Sequence, residues 1–290
     1  MTRWGDHMDP AKRNIYIIAA VAFIAIVVAV YFLFIFQKGP KTVKPQEVSG
    51  EVKELSEIDL NKRPFVTLTP TSDGAEILIS IENMSSFDRI EYELTYLADN
   101  PQIAGEKIQR GSTGTDVNTK EQKYKKSILL GTASKGTRSP DKGVTDGILT
   151  MHLFKGETEY QSETNWDLEQ SATSSTTFKD RSDNFQLTVP PLGKNYFVII
   201  SDTVGAPANG QFDIANVVFP VYGSFSVAPQ FTKSADLLIK FTQDAKSFQL
   251  YSYNHTDSKW TKLDSSYDAN SKTVSDKVNS FATFVVVSSK

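Results

Sequence analysis

Any chemistry in this chain must come from oxygen, amine and imidazole groups, because its 290 residues contain no cysteine. Disulfides, thiolate metal sites and cysteine nucleophiles are therefore excluded. His7, His152 and His255 are the only histidines and lie far apart in sequence, so a multi-histidine metal site is not expected. They also leave few candidate bases for a serine triad. Ser134 stands beside Lys135 in Gly131-Thr-Ala-Ser-Lys-Gly136, but the glycine spacing of a nucleophile elbow is missing. His152 falls inside an alternating run over 148–154 and reads as structural. Phosphate-binding and dinucleotide-binding glycine motifs do not occur. No catalytic residue is assigned, and the chain reads as non-enzymatic.

Two weaker patterns point to binding. Asp141 with Asp146, Asp180 with Asp183 and Asn184, and Asp264 with Asp268 and Asn270 are oxygen-rich loop clusters. Calcium is the one cofactor such loops suit, but none has the spacing of a calcium-binding hand, and Asp and Asn also start turns by themselves. The second pattern is aromatic. Tyr251, Tyr253 and His255 share one face of an expected strand, and Trp260 lies on its expected partner. Rings on a sheet surface can stack on a sugar or anchor a protein partner, and otherwise cover a core or an interface. Asn83-Met-Ser85 and Asn254-His-Thr256 match the glycosylation acceptor pattern at a frequency close to chance.

Positioning begins with the strongest signal in the chain. Residues 15–36 read IYIIAAVAFIAIVVAVYFLFIF, without a charge, glycine or proline. At about 1.5 Å per residue they reach about 33 Å, enough to cross the hydrocarbon of a bilayer. The segment is longer than a signal-peptide core and lacks a small-x-small exit, so it reads as an uncleaved signal anchor with the lipid bilayer as its partner. Arg3, Lys12 and Arg13 before it nearly balance Lys38, Lys41 and Lys44 after it. The composition of the body selects the orientation: residues 1–14 inside, 37–290 outside, a single-pass protein of the cell membrane. Ala25 and Ala29 form a small-xxx-small pair, which is common in such helices and carries no assignment.

Residues 37–63 mix Lys, Glu and Pro and read as a stalk, with Pro40 and Pro45 opposing continuation of the helix. Beyond Pro64 the period changes to two. Ile77, Ile79 and Ile81 alternate with Leu78, Ser80 and Glu82, and Ile90 to Tyr96 repeat the pattern after a turn over 83–88. Further strands are expected over 127–130, 148–154, 159–166, 185–189 and 196–201. After a turn-rich boundary at 201–210 come 212–219, 224–228, 237–242, 248–253, 259–263, 273–278 and 281–287. The polar clusters 111–116, 134–143 and 171–184 are expected to be loops. Many short strands at close intervals predict an all-β ectodomain of antiparallel β-sandwiches, two in tandem over 64–205 and 206–290. A single larger sandwich with a long insertion is the alternative. A net charge of −3, from 31 Lys and Arg against 34 Asp and Glu, argues against a nucleic-acid partner.

The anchor, the proline-containing stalk, Tyr251 and Tyr253, Trp260 and Leu263, and the ending Phe281-Ala-Thr-Phe-Val-Val-Val287 resemble single-pass bacterial surface proteins with Ig-like sandwich domains. The resemblance is architectural and has no diagnostic motif. It implies an exported structural, adhesive or scaffolding module with a protein or glycan partner outside the cell, and it brings no catalytic residue. The alternatives are a carbohydrate-binding or carbohydrate-active protein and an accessory subunit of an envelope complex. The expected ligand or partner face is Tyr251, Tyr253, His255 and Trp260.

Overall fold

Alternation decides this fold, because strand neighbours point to opposite faces and each apolar set must find its own cover. A computed structural model describes residues 51–243 and 245–289. The expected tail, transmembrane helix and most of the stalk lie outside the described residues. Within them no helix is long and apolar enough to cross a membrane. The described chain is all-β, with several antiparallel sheets, and its helical structure is limited to the short turns Leu55–Glu57, Leu60–Lys62 and Ile214–Asn216.

The largest sheet has ten strands. Its path runs Lys259–Lys262, Ser247–Asn254, Thr283–Ser289, Val217–Phe225, Phe197–Asp202, Thr158–Gln170, Thr145–Lys155, Arg89–Asp99 and Lys107–Val117. Val52–Glu54 adds to Thr158–Gln170 as the parallel exception. A three-stranded sheet contains Phe65–Pro70, Glu76–Glu82 and Lys123–Leu129. A five-stranded sheet runs Thr176–Lys179, Phe185–Val189, Ala235–Lys240, Thr273–Val278 and Ser266–Asp268. Gly131–Ser134 and Thr137–Pro140 form a separate hairpin.

The two smaller sheets cover opposite faces of the large one, and strand Phe197–Asp202 shows why. Ile199 belongs to a first core with Ile77, Ile79 and Ile81 from the three-stranded sheet and Tyr92, Leu94, Met151 and Trp166 from the large one. Its neighbours Val198 and Ile200 belong to a second core with Phe185, Leu187, Leu237, Ile239, Tyr222 and Phe284. One strand therefore serves both cores, one on each side. A third cluster on the first face joins Leu60, Val221 and Val285 beneath Phe212 and Trp260.

The two cores are not built from two successive halves of the chain. Phe178, Phe185, Leu187 and Val189 precede residue 205 yet pack in the second core. The large sheet continues through the expected boundary, since Ile199 to Asp202 pair with Phe225 to Tyr222. Residues Ser49–Lys290 form one compact unit. The turn over 83–88 also does more than close a hairpin. It carries the chain from the three-stranded sheet into the large one. The polar stretches at 111–116 and 134–143 contribute to strands, because an exposed edge strand needs no apolar face.

Truncating either neighbour should open a cavity in a different core. Ile199→Ala and Ile200→Ala are each expected to cost about 2–5 kcal/mol. Denaturant unfolding followed by tryptophan fluorescence checks this. A cost below about 1 kcal/mol for either variant would show that the strand does not hold both cores.

Candidate ligand site at the aromatic junction

The four expected face residues do come together. Tyr253 pairs with Trp260 and Tyr251 with Lys262 across the hairpin, which puts both tyrosines on the face away from Phe248 and Leu250. Tyr253 and Trp260 have ring centroids 5.1 Å apart, and Tyr253 and His255 5.6 Å. The rings do not form an open platform. Phe212 packs on Tyr251 at 4.8 Å and edge-on against Trp260 at 5.0 Å. Phe65 stacks parallel to His255 at 6.1 Å, and Phe225 approaches it at 5.2 Å. The Trp260 indole N–H donates to the Ala208 carbonyl at 2.8 Å, which fixes the 203–212 segment over the sheet.

His255 is the most constrained member. Burial lowers its pKa to about 4, and nearby Lys123 adds to the effect, so the ring is neutral near pH 7. Its Nε2 lies 3.3 Å from Thr283 Oγ1. Beside it opens a cavity of about 450 Å³, lined by Thr69, Phe225, Gln230, Asn254, Thr256 and Ser280 among others. Among the described residues the side chains of Thr69, Gln230, Thr256 and Ser280 have no hydrogen-bond partner, and they face this space beside apolar Phe225 and Phe281. Uncommitted hydroxyls and amides over an apolar floor suit a neutral, polyhydroxylated ligand.

A second cleft, about 160 Å³, lies between the large sheet and the turn over 180–184. Arg181 holds that turn in place. Its Nε and Nη2 each donate at 2.8 Å to the Asp167 carboxylate, and Nη1 donates at 2.9 Å to Asn165 Oδ1. The guanidinium is thereby occupied and is not free to receive an anion. Asp202 lines the same cleft, and burial raises its pKa to about 6, with Asp180 adding to the rise. Asp202 sits in the stretch read from sequence as a boundary turn. Only the long-range register of strands 158–170 and 217–225 brings its neighbours Asn165 and Tyr222 to it.

In the acidic loop clusters, Asp180 and Asp268 serve local turns. Asp180 accepts from the Phe185 and Ser182 backbone N–H groups, and Asp268 from that of Asn270. Asp141 accepts from the Tyr96 hydroxyl at 2.9 Å and lies 3.5 Å from Arg110. Among the described residues no group of three acidic or histidine side chains is placed to hold a metal ion. His152 lies on an open polar face of the large sheet, 2.6 Å from Glu159 Oε1. Asn83 uses its side-chain amide to bond the Asn61 and Arg63 carbonyls.

The fold and sites thus define an all-β, β-sandwich-like protein with a polar cavity at an aromatic junction. No protein-family model matches the chain, and neither the curated proteins nor the solved structures yield a match.

His255 and Asp202 make opposing contributions to stability against pH. His255 ionises more readily unfolded, at about 6.5, than folded, at about 4, so acidification between those values favours unfolding. Asp202 holds its proton more tightly folded, at about 6, than unfolded, at 3.8, so the same acidification favours the fold. Between pH 7 and 4.5 each effect is about 2 kcal/mol. Relative to wild type, His255→Gln should gain about that much stability over this range and Asp202→Asn should lose it. Denaturant midpoints at the two pH values check the pair, and parallel pH profiles for both variants and wild type would contradict the burial of these groups.

Proposed function

We propose that this chain is a single-pass, membrane-tethered surface protein whose β-rich body acts outside the cytoplasm as a structural, adhesive or scaffolding module. The tether rests on the uncharged apolar segment 15–36. The observation that carries the scaffolding role is the unbroken ten-stranded sheet, which unites two cores in one body. A body joined through continuous backbone hydrogen bonds transmits load without an internal linker to extend. The finer description, an ectodomain built on Ig-like sandwich lines, belongs to the same reading.

A second reading is carbohydrate binding, favoured by the uncommitted hydroxyl and amide groups around the cavity beside His255. Protein–sugar contacts use such groups together with apolar ring faces. It is compatible with the first, since a surface scaffold that grips a polymer is an adhesin by chemistry.

One experiment tests topology and tether together. A reporter active only outside the cytoplasm is fused after Lys290, and membranes are washed with carbonate before detergent extraction. The expected result is reporter activity with the chain released only by detergent, and release by carbonate after deletion of residues 15–36. An inactive reporter on the expressed full-length fusion, or release of the intact chain by carbonate, would contradict the proposal.

A further inference from the structure

A smaller groove of about 130 Å³ shares Thr69 and His255 with the large cavity. It is walled by the outer face of the three-stranded sheet, through Thr67, Thr69, Ser80, Lys123 and Lys125, and by Tyr253, His255 and Ser258 of the hairpin. The inner residues of the same strands, Ile77, Ile79 and Ile81, fill the first core, so alternation alone puts these polar residues together. Register then lines them up. Lys125 faces Ser80, which faces Thr67, and Lys123 faces Glu82, which faces Phe65.

Three features of the groove point to one kind of ligand. Ser80 is only 5 % exposed, and its Oγ has no hydrogen-bond partner among the described residues. A buried hydroxyl left unpaired is costly, and such groups call for an acceptor. Lys125 is exposed and has no ion pair among the described residues, whereas Lys123 is paired with Glu82. Two ammonium groups against one carboxylate leave one net positive charge, with His255 neutral beside them. The chain as a whole carries −3, so this positive groove runs against the overall charge. Hydroxyl donors surrounding an ammonium group in a half-enclosed space are a fitting environment for an oxyanion.

We propose that this groove is an oxyanion site, formed by Ser80 and Lys125 beside the Lys123–Glu82 pair, which receives a carboxylate, sulfate or phosphate group of a small or polymeric ligand. Apart from Thr69 and His255 the site is lined by different residues from the sugar-suited cavity, and it does not depend on that reading. Its size fits one such group and not an extended chain lying along it. Because Lys123 lies close enough to His255 to depress its protonation, an anion that offsets the lysine charge raises the proton affinity of His255, and protonating His255 tightens the anion in return.

The test uses the full chain in detergent micelles with histidine rings isotopically labelled. Only three histidines give signals, and variants at His7 and His152 assign them. Inorganic sulfate, inorganic phosphate and glucuronate are titrated separately at constant ionic strength against chloride, and phosphatidylglycerol nanodiscs form a further arm. The expected result is a saturable shift of the His255 signal and a rise in its apparent pKa with at least one small oxyanion, which also identifies the group preferred. Ser80→Ala and Lys125→Gln should each weaken that binding by roughly tenfold. Ser80→Ala should leave the melting temperature unchanged or raised, since it removes an unpaired buried hydroxyl, and this separates loss of the site from loss of the fold. A response that matches chloride, that does not saturate, that persists in both variants or that arises with nanodiscs alone would overturn the proposal.

Discussion

Strand Phe197–Asp202 is the constraint on which the rest of the molecule depends. Three successive residues, Val198, Ile199 and Ile200, are buried on alternate sides, and each side has its own covering sheet. A strand buried on both faces reads as an apolar run and cannot be exposed without cost. Removing it would uncover Trp166 and Leu94 on one side and Phe284 and Tyr222 on the other. The large sheet is consequently the common wall of the body, and the smaller sheets are coverings fitted to it.

That wall explains where functional geometry arises. The three-stranded sheet covers only part of the first face, and beyond it lies the cluster of Leu60, Val221 and Val285 with the 203–216 segment above. At the seam the hairpin tip meets strand Phe65–Pro70, and His255 and Thr69 line both the cavity and the groove. The second polar cleft likewise sits at the margin of the five-stranded sheet, where the turn held by Arg181 meets the large sheet. Polar groups collect at these margins because neither core can accept them without partners.

Much of the fold was legible in the residues. The alternations at Ile77–Ile81, Ile90–Tyr96 and Phe185–Val189 mark strands because one face of each is buried, and strand Thr273–Val278 has its expected span. The hairpin carrying Tyr251, Tyr253 and Trp260 was readable for the same reason. Strand Lys107–Val117 was not. Its residues Gln109, Gly111 and Thr113 face water at the sheet edge, so no apolar period records it. Assigning strands to sheets was also out of reach, since the crossing at 83–88 carries ordinary turn residues. The proximity of Tyr251, Tyr253, His255 and Trp260 follows from strand alternation and hairpin pairing, while their coverage by Phe65, Phe212 and Phe225 depends on contacts 30 to 190 residues apart in sequence. Asp202 gave no local signal because its environment is made by other strands.

The central physical claim is that two cores on opposite faces of one sheet behave as a single cooperative body. Native-state hydrogen exchange of the backbone amides tests it most directly. Amides of Glu76–Glu82 in the first core and of Ala235–Lys240 in the second should share the same opening free energy, matched by that of Phe197–Asp202. If the strands of one core exchange through an opening several kcal/mol below the other, with Phe197–Asp202 following the weaker side, the shared-wall account is wrong.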